Sequence, residues 1–190
     1  MGQSIKKAVL TAAILTLGFY SLKAQNKLSI AAGVNFSSVS SINSNNPDGK
    51  LGFNAGIAYK YYMSDLGWFV KPGLFFSQEG WLHQRLSYIN LPVIVGFDFT
   101  DDFNFNVGFQ YGYLVTNLDD PDNAIDKNNL AFLIGFEFYP TDRLEVGLRF
   151  ANGVKNIIAK PDNFVVKDAR TSSIQFYFAF NLGQKENKQP

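Results

Sequence analysis

A histidine placed between a carboxylate and a hydroxyl is the one pattern in this sequence that resembles a hydrolytic site. His83 lies four residues after Glu79 and four residues before Ser87. A histidine base oriented by a carboxylate can activate a serine hydroxyl for attack on an ester. No strained-turn motif surrounds Ser87, and Glu79 and Ser87 fall on different predicted strands. A solvated loop histidine is the simpler interpretation, so we assign no catalytic residue.

Oxygen-bearing side chains are concentrated between positions 117 and 126. The segment carries Asn117, Asp119, Asp120, Asp122, Asn123 and Asp126. Calcium prefers such hard oxygen ligands, but the segment lacks both the glycine and the closing glutamate of an EF-hand loop. A hydrated acidic loop is therefore favoured over a metal site, and we expect neither a metal nor a cofactor.

Apolar and basic side chains alternate irregularly in the segment 153–170. An exposed apolar patch indicates a protein partner, and lysine or arginine side chains suit the phosphates of outer-leaflet lipid. A loop hairpin folded over the mouth of a barrel explains the same composition. The apolar residues are Ile157, Ile158, Phe164, Val165 and Val166, and the basic ones are Lys155, Lys160, Lys167 and Arg170.

Composition excludes several classes of protein. The chain has no cysteine, which rules out disulfides, thiolate zinc sites and cysteine nucleophiles. Its formal charge is only +1 and no segment is dominated by lysine and arginine, so nucleic acid is not an expected partner. Charged residues make up 17% and aromatic residues 16%, a balance that suits a protein with an apolar exterior.

The first 24 residues have the layout of a secretory signal peptide. Lys6 and Lys7 precede an apolar run from Ala8 to Phe19 that is too short to cross a bilayer as a helix. We expect cleavage after Ala24. The predicted organisation is a signal peptide over 1–24, one domain over 25–182 and a polar tail over 183–190.

Beyond the signal peptide, apolar and polar residues alternate in eight runs of about ten residues, the length that a tilted membrane strand requires. The runs are Lys27 to Ser37, Leu51 to Met63, Trp68 to Glu79, Leu86 to Phe99, Phe103 to Val115, Leu130 to Tyr139, Arg143 to Ala151 and Thr171 to Leu182. One face of each run is apolar and uncharged. The opposite face holds glycines, amides and seven charges: Lys60, Lys71, Glu79, Asp98, Glu137, Glu145 and Arg149.

The size of the barrel decides which face points outward. The interior of an eight-stranded barrel is just wide enough for side chains, so a lining of bulky apolar residues would overpack it. We predict an all-β fold, an eight-stranded antiparallel up-and-down transmembrane β-barrel, with the apolar face toward lipid. The internal charges are then expected to pair across the lumen. A soluble lipocalin-like ligand carrier, with the apolar face inside, is the alternative fold.

The connections give the orientation. Short turns at Ser64 to Gly67, Thr100 to Asp102 and Pro140 to Asp142 alternate with longer connections at Ser38 to Lys50, Gly80 to Arg85, Thr116 to Asn129 and Asn152 to Arg170. Outer-membrane barrels keep short turns in the periplasm, so we expect both termini there. Aromatic residues near the strand ends suit interfacial girdles: Tyr61, Tyr62, Trp68, Phe69, Tyr111, Tyr113 and Tyr139.

The run Tyr88-Ile89-Asn90-Leu91-Pro92-Val93-Ile94, together with the exported chain and the eight strands, resembles the PorT-type outer-membrane β-barrel family of Bacteroidota-like bacteria. Asn90 stands where glutamate is common in that family. The resemblance implies a Gram-negative outer-membrane barrel without enzymatic activity, in some members with a role in secretion or surface attachment.

The expected function is therefore that of a small, non-enzymatic barrel with a closed polar lumen. It would act in the envelope as a structural element or bind a partner through its extracellular loops, with outer-membrane lipid and lipopolysaccharide around it. A membrane-embedded hydrolase or acyltransferase that uses His83 is the alternative from another class.

Overall fold

The computed structural model describes residues 26–41, 49–81, 84–117, 126–157 and 169–182. Each strand pairs antiparallel with the next, and the last pairs with the first, so the sheet is a closed up-and-down barrel. This confirms the predicted fold class. No helix in the described ranges is long and apolar enough to cross a membrane. The strands are β1 (Lys27–Ser41), β2 (Lys50–Tyr62), β3 (Trp68–Trp81), β4 (Gln84–Asp98), β5 (Phe103–Asn117), β6 (Asn128–Thr141), β7 (Leu144–Gly153) and β8 (Ala169–Asn181).

The two faces of the wall have the polarity that the alternation predicts. The apolar positions of all eight runs are exposed or half-exposed on the outside, with Phe109 and Phe136 each more than half exposed. The predicted polar face points into the lumen, where Asn35, Asn104 and Asn106 are fully buried. An apolar exterior around a polar interior suits lipid and excludes the lipocalin-like arrangement, in which the bulky face would line the cavity.

Three short turns and both ends of the described barrel lie at one end, here called the turn end. The turn before β3 uses Gly67 at φ 89°, in the left-handed region that favours glycine. In the next turn, the Thr100 hydroxyl accepts hydrogen bonds from the backbone N–H groups of Asp102 and Phe103. The opposite end, from which β1, β3, β5 and β7 lead into their connections, is called the loop end.

The connection between β3 and β4 is shorter than predicted. The two strands remain paired through Gly80↔Arg85 and Trp81↔Gln84, so only residues 82–83 separate them. The prediction of a longer loop from Gly80 to Arg85 is therefore wrong. Gly80, Trp81, Gln84 and Arg85 extend the paired part of β3 and β4 toward the loop end. Gly80 adopts φ 142°, where a side chain would be strained.

Several large aromatic side chains in the lumen lie over a glycine of a neighbouring strand. The Phe69 ring lies over Gly96, its cross-strand partner, and the Tyr177 ring lies over Gly147. A Cβ atom at Gly147 would lie 2.1 Å from Cζ of Tyr177, which is less than any real contact. Glycine at these positions lets a narrow barrel hold aromatic residues without overpacking.

Candidate functional site: the polar lumen

The predicted internal charges gather mainly in the turn-end half of the lumen. Strand position explains this, because Asp98 ends β4 and Glu145 is the second residue of β7, both next to turns. Six of the charges, here called the ionic cluster, lie on inward positions of β2, β3, β4, β6 and β7: Lys60, Lys71, Asp98, Glu137, Glu145 and Arg149.

Lys71 forms the centre of the ionic cluster. Its Nζ lies 2.9 Å from Oε1 of Glu137 and 2.5 Å from Oε1 of Glu145. All three side chains are almost completely shielded from solvent. Taking these charges out of water is costly, and short hydrogen-bonded ion pairs offset that cost.

Glu137 accepts four side-chain hydrogen bonds. Lys71 and Tyr177 donate to Oε1, and the Tyr177 hydroxyl lies 2.7 Å away. Asn104 and Tyr139 donate to Oε2, each at 2.9 Å. A carboxylate whose two oxygens are both fully bonded is held in one position, so Glu137 joins donors from β3, β5, β6 and β8 across the lumen.

Lys60 closes the turn end of the lumen. Its Nζ donates to Oδ1 of Asp98 at 2.8 Å and to the Tyr139 hydroxyl at 3.2 Å. The ammonium also lies 3.8 Å from the centre of the Phe69 ring, a cation–π contact. Tyr62 donates to the second oxygen of Asp98 at 2.7 Å.

The inward positions of Tyr62, Phe69 and Tyr139 correct part of the predicted aromatic girdle. These residues have the same parity along their strands as Lys60, Lys71 and Glu137, and so face the lumen. Tyr61, Trp68, Tyr111 and Tyr113 face outward as predicted.

Arg149 joins the ionic cluster through a tyrosine. Its Nη2 donates to the Tyr177 hydroxyl at 3.2 Å, and that hydroxyl donates to Glu137. The guanidinium carbon lies 5.0 Å from the centre of the Tyr177 ring. With Arg149 included, the cluster contains three cations and three carboxylates, so its formal charges balance.

Neutral side chains and one carboxylate occupy the loop-end half, in a group here called the amide layer: Asn35, Asn54, Ser77, Glu79 and Asn90. Asn35 donates to the Ser77 hydroxyl at 2.7 Å, and Asn54 donates to Asn35. Glu79 accepts from Ser77 at 3.0 Å and from Asn90 at 3.3 Å. The prediction that the internal charges pair across the lumen thus fails for Glu79 and for Arg149, neither of which forms an ion pair within the described ranges.

The ionic cluster spans the lumen from wall to wall, and the amide layer joins β1 to β4 above it. The ionic cluster links side chains whose strands lie on opposite sides of the barrel, as Lys71 of β3 and Glu145 of β7 do. A cavity of about 340 Å³ at the turn end is bounded by Asp101, Asp102 and Asp142 and reaches Tyr139, a member of the hydrogen-bond network. The arrangement is therefore a plug, as expected where eight strands leave room for side chains alone.

Sequence comparison agrees with this architecture. The family described as outer membrane protein beta-barrel domain matches residues 9–181. The chain belongs to this family. No curated protein matches the chain.

Solved structures similar to this outer-membrane barrel share its fold. Ail, the attachment invasion locus protein of Yersinia pestis, is 14% identical with a TM-score of 0.54, over 83% of this chain and 99% of Ail. Neisserial surface protein A is 12% identical with a TM-score of 0.55, over 80% of this chain and 96% of that one. A second Ail structure, in complex with the heparin analogue sucrose octasulfate, has a TM-score of 0.50 at 14% identity and the same coverage. At such identities the likeness shows the fold alone.

The structure of this outer-membrane barrel describes two of the three residues of the hypothetical catalytic group, Glu79 and Ser87. Glu79 and Ser87 are both buried, and Ser87 is paired with Gln78 beside a register shift. Glu79 pairs with Leu86, one residue before Ser87. His83 lies outside the described residues.

The acidic segment is described only at its ends. Asp126 accepts from the backbone N–H of Asn128 through Oδ1 and pairs with Lys155 through Oδ2 at 2.7 Å. The hydrogen bond from Lys155 lowers the pKa of Asp126. Asp119, Asp120, Asp122 and Asn123 lie outside the described residues. No group of acidic or histidine side chains suited to a metal ion occurs within the described ranges.

The start of the apolar and basic segment folds onto the barrel. Ile157 is completely buried, and its carbonyl accepts a hydrogen bond from the backbone N–H of Asp126 at 2.7 Å. Arg170 is exposed on β8. Ile158, Lys160, Phe164, Val165, Val166 and Lys167 lie outside the described residues, as do the expected signal peptide and the polar tail.

Sequence analysis missed the tyrosines that complete the ionic cluster. Tyr177 and Tyr139 supply hydroxyls that join cations to Glu137. The sequence did contain the information that both tyrosines face the lumen, because strict alternation places Tyr139 on the same face as Glu137 and Tyr177 on the same face as Gln175.

Proposed function

We infer that this outer-membrane barrel is a non-enzymatic envelope protein of the PorT type, whose closed lumen serves as a rigid support and whose extracellular loops bind a partner. The observation that carries the inference is the balanced ionic cluster centred on Lys71 and Glu137. The side chains of the cluster bond to one another, which favours a rigid barrel over a path for solute through the lumen. Residues 1–24 then serve as the export signal.

The loop end supplies the surface for binding. β1 and β8 stay paired as far as Ser41↔Ala169, beyond the last pair of β1 with β2 at Ser37↔Lys50. The ion pair between Asp126 and Lys155 joins the connection that precedes β6 to the connection that follows β7. Basic residues of the segment 153–170, supported by a rigid wall, suit the phosphates of lipopolysaccharide. The same loop surface suits a secretion or attachment protein.

Site-specific crosslinking tests the partner. A photo-crosslinking amino acid at position 160, in the segment 153–170, is expected to capture a stoichiometric companion in intact envelopes. The same amino acid at Asp101, in an exposed turn at the other end, is the matched control and should not capture it. Failure of every position in 153–170 to yield a companion would contradict partner binding.

Incubation with lipid tests the absence of enzymatic activity. Purified barrel is mixed with phospholipid and lipopolysaccharide, and the lipid masses are measured. We expect no change. A change in lipid mass that disappears in His83→Ala would contradict the proposal and favour a membrane-embedded hydrolase or acyltransferase.

A further inference from the structure

The two halves of the lumen differ in charge balance. In the ionic cluster three cations face three carboxylates, whereas the amide layer holds Glu79 as its one carboxylate. Glu79 is only 5% exposed, and its hydrogen bonds come from neutral donors, Ser77 and Asn90. A buried carboxylate without an opposite charge is strongly unfavourable, so something must compensate for it.

Two buried oxygen atoms in the described loop-end half of the lumen lack partners. Within the described ranges, the Tyr88 hydroxyl and Oδ1 of Asn129 have no hydrogen-bond partner, although both residues are more than nine-tenths buried. Tyr88 pairs with Ser77 and lies two residues from Asn90, the two residues that bond Glu79. Buried oxygens of this kind normally have a partner, which can be a water molecule or an ion.

Gly112 is bordered by the side chains of Asn90, Tyr88 and Asn129. A Cβ atom there would lie 2.6 Å from Oδ1 of Asn90, 3.4 Å from the Tyr88 ring and 3.5 Å from Cβ of Asn129. Asn90 thus bonds Glu79 through its nitrogen and turns its oxygen toward the position bordered by Tyr88 and Asn129. Gly112 of β5 pairs with both Asn90 of β4 and Asn129 of β6, so the two amides flank it across the wall.

We propose that Glu79 binds one monovalent alkali cation of the size of sodium in the loop-end half of the lumen, with neutral oxygens of Tyr88, Asn90 and Asn129 as further ligands. Hard cations take such oxygen ligands, and a single carboxylate balances a single positive charge. A divalent ion would leave an excess charge in a buried site. Access is from the loop end, since Glu79 lies only two pairs from the last β3–β4 pair, Trp81↔Gln84.

Thermal unfolding of the whole barrel in detergent micelles tests the proposal. The unfolding temperature is measured in sodium chloride and in N-methylglucamine chloride at equal ionic strength and neutral pH. We expect sodium to raise it by about 3 °C for each tenfold increase above the dissociation constant. Glu79→Gln should abolish this shift. Asp126→Asn removes a loop carboxylate that is already paired with Lys155, and should retain it.

Two further measurements use the wild-type barrel, and the first of them does not depend on the folding of Glu79→Gln. Sodium-23 line broadening should exceed that of empty micelles, and its absence would overturn the proposal. Infrared spectroscopy should show an ionised Glu79. A neutral carboxyl band, assigned by its loss in Glu79→Gln where that variant folds, would show that a proton compensates the charge, which also overturns the proposal.

Discussion

At the scale of single residues, the interior of this barrel depends on how completely each charge is partnered. Glu137 receives donors from four strands, and Lys71 lies between two carboxylates. Removing one member of such a buried group leaves another charge without compensation, which costs more than the pair contributes. Single and combined substitutions should therefore behave very differently.

Lys71→Met is expected to destabilise the barrel by about 3–5 kcal/mol, because Glu137 and Glu145 would remain buried without their shared cation. Adding Glu145→Gln in the same chain leaves two cations and two carboxylates, with Glu137 still serving Tyr177 and Arg149, and should recover most of the loss. The free energy of unfolding in urea measures both effects. Lys155→Met, at an exposed ion pair, is the control and should cost less than about 1 kcal/mol. A similar loss in both single variants would contradict the account.

Gly147→Ala tests the space beneath an internal aromatic ring. The new methyl group would overlap the Tyr177 ring, so the tyrosine must move and its bonds to Arg149 and Glu137 must lengthen. We expect a loss of about 1–3 kcal/mol in urea unfolding. At Gly135 the nearest atom is the amide oxygen of Asn106, the end of a side chain that can rotate, so Gly135→Ala should cost less. Equal losses would contradict this explanation.

At the scale of strands, pairing is interrupted on both sides of β3. The pairing of β2 with β3 is interrupted between Ala58↔Gly73 and Tyr61↔Val70, where Pro72 lies. The pairing of β3 with β4 is interrupted between Pro72↔Val93 and Phe75↔Asn90, opposite Pro92. Proline has no N–H to donate, so each interruption removes a ladder hydrogen bond.

Hydrogen exchange in lipid nanodiscs should reveal these interruptions. Amides of residues 59–61 and of residues 71, 73 and 74 are expected to exchange faster than those of β5 opposite β6, where pairing is continuous from Phe103 to Tyr113. Pro72→Val should slow exchange at 59–61, because its side chain faces lipid and the new N–H can complete the ladder. Equal protection of both regions in the wild type would contradict the prediction.

The strands were predictable because alternation is a property of each segment by itself. Loop lengths were less so: Gly80 and Trp81 pair with Arg85 and Gln84, and composition does not distinguish such a paired segment from a loop. Partners across the lumen were less predictable still. Which carboxylate meets Lys71 depends on the stagger of eight strands around the barrel, and the period of a single strand contains no information on that stagger.

At the scale of the whole molecule, the barrel combines an apolar exterior with a lumen occupied by bonded polar side chains. Sequence analysis reached this architecture through size and charge, because eight strands leave little interior space. The separation of Glu79 from the ionic cluster was not predictable, because it depends on the height of each residue along the barrel axis.

Conductance across a planar lipid bilayer tests the closed lumen most directly. The purified barrel is inserted at high salt, and insertion is verified by protease cleavage of the loops in the same preparation. The ionic cluster and the amide layer predict a current that stays at the baseline of the lipid. Steady, reproducible single-channel steps from the wild-type barrel would contradict a lumen closed by Lys71, Glu137 and their partners.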